Sequence, residues 1–186
     1  MKGIVPSTSP KLKLEDFEKI VKKAKVTDEC VMIGVRGYYA ENKRGIYDDA
    51  ILFRSPTAFL AVNANTDPSA WRKGIATLQT GVWRYKCGTH GLSHPVGPRR
   101  YAAFVQAAPV IVTRDGQGPQ KPAYLGINIH HGSRNTTSSL GCQTVYPAQW
   151  DHFKATVYAE LKKYNQKTFP YILINGEDQR VPVVQG

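Results

Sequence analysis

A chain of 186 residues with 41% hydrophobic and 21% charged residues is long enough to bury a core and too apolar to be disordered as a whole. Three cysteines exclude a disulfide scaffold, and no run approaches the ~18 apolar residues of a membrane-spanning helix. An excess of 25 Lys and Arg over 14 Asp and Glu leaves a net charge of +11, which favours anionic partners. Both halves of the chain are basic, so no tail explains the excess. From Ser69 to Trp150 there are nine basic residues against Asp115 alone.

The length predicts a single domain over residues 1–186, with the polar, proline-containing residues 1–12 a flexible N-terminal segment. Leu14, Phe17, Ile20, Val21 and Ala24 recur at helical spacing, which predicts an amphipathic helix over 14–25. From Val31 the pattern changes to short apolar and aromatic runs: VMIGVRGYY, AILF, FLAVNAN, GVWRYKCG, YAAFVQA, PVIVTRD and YLGINIH. Gly, Pro, Asn and Asp separate them, which is the grammar of a mostly antiparallel sheet or barrel. GQGPQKP at 116–122 reads as a loop between two strands. A second helix is expected at about 147–164, opened by Pro147 and carrying Trp150, Phe153, Val157 and Leu161 as its stripe. YILIN and VPVV close the chain as strands around an NGED turn. The fold class expected is α+β, a mostly antiparallel, barrel-like sheet with a helix near each end.

Chemistry concentrates in GINIHHGSRNTTSSLGCQTVYP, residues 126–147. A strand ends in two histidines and a glycine, a polar loop crosses over, and Ser-Leu-Gly-Cys leads into another strand. A thiol becomes a good acyl acceptor once an imidazole takes its proton. Gly141 lets the backbone approach a substrate, and amide N–H groups beside the sulfur suit a tetrahedral oxyanion. These residues make Cys142 the candidate nucleophile. Alternation along the strand puts Ile127, Ile129 and His131 on one face and Asn128 and His130 on the other. With the isoleucines in the core, His130 is the expected base and His131 a flanking substrate contact; a bend at Gly132 would exchange the two. The base needs an acceptor for its second nitrogen, and the residues leave Asn128 and a backbone carbonyl as alternatives.

This arrangement resembles the L,D-transpeptidase (YkuD-like) catalytic domain, whose motif is a strand-terminal His, often followed by Gly, then a loop and Ser/Thr-His-Gly-Cys. The matching residues are His130 or His131 with Gly132, then Ser139, Gly141 and Cys142. Leu140 stands where that motif has histidine, twelve positions separate His130 from Cys142, and Gln143-Thr144 follow the cysteine. The resemblance implies a β-rich cysteine enzyme without a cofactor, acting on peptidoglycan stem peptides through an acyl-enzyme, with a backbone carbonyl orienting the base. Arg134, Ser139, His131 and Asn128 are the candidate substrate contacts, with Arg99 and Arg100 further grips for substrate carboxylates. The opening MKGIVPSTSPKLKLEDF has no apolar core of a secretory signal. The expectation is synthesis in the cytoplasm, no membrane insertion, and action on the wall after lysis or delivery, as by a phage-type lytic protein or a secreted effector.

Three other readings compete. KCGTHGLSH sets Cys87, His90 and His94 at C-x2-H-x3-H, a spacing suited to a zinc hydrolase but short of a fourth ligand. His131-Gly132-Ser133 supplies one half of a paired His-x-Ser phosphodiesterase motif, and neither His90 nor His94 supplies the other. Basic charge interleaved with Trp71, Trp83, Tyr85 and Tyr101 would suit a nucleic-acid-binding module, although no nucleic-acid motif accompanies it.

Overall fold

The computed structural model describes residues 4–39 and 42–179. It opens with helix α1 (Leu14–Lys23), whose first turn holds Glu15 and Asp16 and whose last holds Lys22 and Lys23, each complementing the helix dipole. Strands β1 (Val31–Arg36), β2 (Asp49–Arg54) and β3 (Phe59–Asn65) form an antiparallel meander. β4 (Ala76–Leu78), β5 (Gly81–His90), β6 (Tyr101–Gln106), β7 (Val112–Arg114) and β8 (Gly118–Pro119) follow. β9 (Ile129–His131), β10 (Gln143–Val145), α2 (Pro147–Lys163), β11 (Phe169–Asn175) and a single turn of helix, α3 (Gly176–Gln179), complete the described chain.

Eight strands close into a barrel in the order β1-β11-β5-β6-β9-β10-β3-β2, and β4-β7-β8 form a small separate sheet. The pairing is antiparallel except for β1 with β11 and β9 with β10. The expected α+β class, with its mostly antiparallel sheet and a helix towards each end, describes this architecture. No helix among the described residues is long and apolar enough to cross a membrane.

Two cores explain the apolar runs. Met32, Ile51, Phe53, Tyr85, Phe104 and Tyr171 share one cluster with the α2 stripe of Trp150, Phe153, Val157 and Leu161. Val31, Ile33, Val35, Ala50, Leu52 and Ile172 pack instead with Phe17, Ile20 and Val21 of α1. Strands β1 and β2 are thus buried on both faces, which is why they read as continuous apolar runs rather than alternating ones.

Several expectations need correction. Of residues 1–12, expected to be flexible, 1–3 lie outside the described residues; in the rest, the Ile4 carbonyl accepts the Tyr47 N–H at 2.7 Å, that of Thr8 accepts the Tyr39 hydroxyl at 2.7 Å, and Leu12 is buried. Loop 116–122 contains β8, paired with β7. NGED contributes to the helical turn α3, and VPVV lies outside the described residues. The most consequential difference concerns YLGINIH, of which only the end is strand. Gln106 Oε1 accepts the backbone N–H groups of Leu125 at 3.0 Å and Ile127 at 2.9 Å. A side chain here takes donors that a ladder would otherwise use, and residues 124–128 pass the end of β6 as irregular chain.

Candidate active site

The register of the parallel β9–β10 pair builds the centre. Gln143 lies opposite Ile129 and Thr144 opposite His130, so Cys142, one step before the ladder, comes level with Asn128. By alternation Cys142 then faces the same way as Asn128 and His130. On the neighbouring strand Phe104 pairs with Ile129, and both are core residues. This turns His130 to the opposite face, shared by Tyr101 and its cross-strand partner His90.

Nitrogen atoms of His90 and His130 and the sulfur of Cys142 lie within 4.8 Å of one another. The two imidazoles stack at 4.1 Å between centroids, with Tyr101 5.2 Å from His90 and 5.9 Å from His130. His130 Nδ1 lies 2.6 Å from the His131 carbonyl and 3.1 Å from Tyr101 Oη. A carbonyl can only accept, so Nδ1 carries the proton and Nε2 keeps its lone pair. Burial, reinforced by His90, pushes the His130 pKa down to about 3. Burial also lowers that of His90 and raises that of the Cys142 thiol to about 11, against a smaller opposing effect of the Asn128 N–H. That N–H points at Sγ from 3.4 Å, and Sγ itself lies 3.5 Å from the Gly126 carbonyl. The resting centre is therefore a neutral thiol beside neutral imidazoles.

The bend that carries the cysteine is braced from beneath. Ser139 Oγ donates to the Cys142 carbonyl at 2.6 Å and accepts the Gly141 N–H at 3.1 Å, while Ser139 N–H donates to Ser69 Oγ at 2.7 Å. Gly141 has φ +134°, and a Cβ there would come 2.7 Å from the Ala76 carbonyl oxygen. Only glycine fits. At the other end of the loop a Cβ on Gly132 would overlap the hydroxyl of Tyr47, which itself donates to the Ser133 carbonyl at 2.8 Å.

A cleft of about 740 Å³ opens between the β5–β6 hairpin and residues 124–128; Cys142 and His130 do not line it, but His90 does, as do Gly126 and Asn128, whose backbone groups meet the sulfur. Lys86, His90, His94, Tyr124, Gly126 and Asn128 are among its walls.

The expected site residues fall into two groups. Cys142 and His130 come together, and the parity argument for His130 over His131 matches the geometry. His131 is half-buried, with its ring 4.3 Å from Tyr101 and Nδ1 2.8 Å from the Gly132 carbonyl. Asn128 does not meet the His130 ring; its Nδ2 lies 3.0 Å from His90 Nδ1, and the His131 carbonyl is what orients His130. Ser139 is buried beneath the bend and is a brace rather than a substrate contact. The Gly141 N–H is committed to Ser139 and the Asn128 N–H points at the sulfur, which leaves the Cys142 N–H, without an acceptor among the described residues, as the uncommitted amide of the bend. Arg134 and Arg99 are exposed, whereas Arg100 donates to the carbonyls of His94 at 2.5 Å and Leu92 at 2.9 Å and so ties its own loop.

The Cys87, His90 and His94 set does not assemble. Three positions along a strand turn Cys87 to the core side with Phe104 and His90 to the other. Of the four aromatics that suggested a nucleic-acid surface, Trp71 alone is exposed; Tyr85 is fully buried and donates its hydroxyl to the Ile127 carbonyl. Sequence reasoning missed His90 and Tyr101 as parts of the centre. The faint signal was their place at the ends of two runs flanking a Gly/Pro-rich tip, which makes them cross-strand neighbours if the runs form a hairpin. No family model, curated protein or solved structure matches the chain, so the site is read from its own geometry.

Proposed function

We propose that the protein is a cysteine-dependent enzyme that modifies peptidoglycan stem peptides through an acyl-enzyme, as a transpeptidase or a peptidase of L,D-transpeptidase type. The observation that carries this reading is the convergence of Cys142 Sγ with the His130 and His90 nitrogens within 4.8 Å, His90 also lining an open cleft. The sequence likeness of His130, Gly132, Ser139, Gly141 and Cys142 to that family's motif supplies the substrate class.

In the proposed cycle His130 Nε2 takes the thiol proton as Sγ attacks a peptide carbonyl carbon. The Cys142 N–H stabilises the oxyanion, and His130 returns the proton to the departing amine, leaving a thioester. Water or a second amine then attacks the thioester, losing a proton to His130, which passes it to the released thiolate. The His131 carbonyl steadies the imidazolium formed in each half. Lys86 on the cleft wall and the exposed Arg134 and Arg99 offer positive charge to substrate carboxylates, in keeping with the basic surface. The place of action is the cell wall, reached after lysis or delivery.

Incubation of the protein and of Cys142→Ala with purified sacculi and defined tetrapeptide muropeptides, read by mass, tests the proposal. New cross-links identify transfer and lost residues identify hydrolysis. Absence of any Cys142-dependent change on every stem peptide overturns the reading.

A further inference from the structure

We infer that His90, His130 and Cys142 form a binding site for a single soft divalent cation of the zinc type, and that an ion there takes the nucleophile out of service. Among the described residues, these three are the group of His, Cys, Asp and Glu whose ligand atoms converge, all within 4.8 Å. Four-coordinate zinc holds its ligands at ~2.0–2.3 Å, which sets neighbouring ligand atoms roughly 3.3–3.8 Å apart. Closing the remaining distance takes about an ångström of side-chain movement. Two imidazoles and a thiolate select zinc or cobalt over magnesium or calcium, whose preferred ligands are oxygens.

The surroundings of the two rings are those of metal-ligating histidines. His130 Nδ1–H donates to the His131 carbonyl, which aims a lone pair on Nε2 away from that contact. His90 Nδ1 meets the Asn128 side-chain amide at 3.0 Å, and with the amide oxygen turned to the ring it donates in the same way. His90 lines the cleft, as do Gly126 and Asn128, whose backbone groups contact the thiol, so the cleft is the route by which an ion reaches the site. Binding replaces the S–H bond with a metal–sulfur bond and releases one proton to solvent, with no change of oxidation state. The sulfur and the His130 lone pair are then both occupied, which blocks attack and proton transfer. The effect on turnover rests on the proposed function; the binding does not.

The test uses the full chain, stripped with a chelator and titrated with Co²⁺. The expected result is a 1:1 complex with a near-ultraviolet thiolate-to-cobalt band and the visible bands of four-coordinate cobalt, displaced by Zn²⁺. Cys142→Ser loses the thiolate band, His90→Ala and Asn128→Ala each weaken binding by about 10–100-fold, and Cys87→Ser binds like the parent. Thermal melts establish that each variant is folded. Absence of the thiolate band from the parent, or its survival in Cys142→Ser, overturns the site. In the turnover assay zinc inhibits in step with occupancy and chelator restores activity; turnover by the zinc-filled protein overturns the blocking role. A thiolate-bound 1:1 complex in a protein that never turns over stem peptides supports the site and assigns the failure to the proposed function.

Discussion

At the scale of single residues, the proton on sulfur decides how the centre works. A thiol with a pKa of about 11 beside an imidazole at about 3 is a neutral pair at pH 7, so in the proposed cycle the proton moves as attack occurs rather than beforehand. Alkylation of Cys142 by iodoacetamide, followed by mass spectrometry of its peptide, should accelerate about tenfold per pH unit from neutrality to about pH 10. A plateau near neutrality would mean a preformed thiolate–imidazolium pair. Two buried groups set opposite pH limits on stability. Burial and then the Asp49 carboxylate push Asp48 up to about 7, and one of its oxygens has no hydrogen-bond partner among the described residues. The folded state thus retains a proton that the unfolded chain releases near pH 4, and stability falls as pH rises from there through 7. His130 runs the other way: its folded pKa is depressed, so its contribution is present above about pH 6.5 and is lost as pH falls towards 3. Asp48→Asn keeps an oxygen for the Lys43 N–H and removes the charge. Its melting temperature should match the parent near pH 4 and exceed it increasingly up to pH 8, by a margin worth up to a few kcal/mol. Equal differences at both pH values would show that the carboxyl does not titrate in that range.

At the scale of elements, the site depends on a short parallel ladder and on the bend before it. Gly141→Ala forces a Cβ against the Ala76 carbonyl at φ +134° and should destabilise by about 2–5 kcal/mol in urea unfolding, combining overpacking with backbone strain. Under the proposed function its folded fraction should also lose most turnover, because relief of the clash moves the sulfur. Ser139→Ala removes the hydroxyl that joins the Cys142 carbonyl to the Gly141 N–H and should cost about 1–3 kcal/mol. Retention of full stability by either variant would show that the bend is not braced as described. The helices and most strands were legible because each carries its own periodicity: Phe17, Ile20 and Val21 mark one face of α1, and Trp150 to Leu161 mark one face of α2. Cys142 and His130 were legible as a pair because a single loop joins them. His90 was not, since it lies forty residues before His130 and arrives through the β5–β6 pairing, a long-range register that local pattern does not encode. Residues 124–128 misread as strand for a related reason. Their apolar spacing is that of a strand, but the partner that takes their donors is the side chain of Gln106.

At the scale of the whole molecule, the charge between Ser69 and Trp150 divides into committed and free portions. Arg84 pairs with Asp28, Arg100 ties its loop, and Arg114 donates to the Gly74 carbonyl at 2.7 Å. Arg72, Lys73, Lys86, Arg99, Lys121 and Arg134 are exposed. Solvated charges of this kind steer association and are screened over roughly 10 Å at 0.1 M salt, shrinking to about 3 Å at 1 M. Retention on anionic sacculi should therefore be strong at about 0.05 M salt and largely lost by about 0.5 M, equally for the parent and for Cys142→Ala. The double variant Arg99→Glu and Arg134→Glu should shift the elution point to lower salt while leaving the melting temperature within a few degrees, since neither side chain is buried. Binding that ignores salt would mean that contacts other than these charges hold the polymer. Binding that weakens in Cys142→Ala would mean that the cleft, rather than the surface, supplies the affinity.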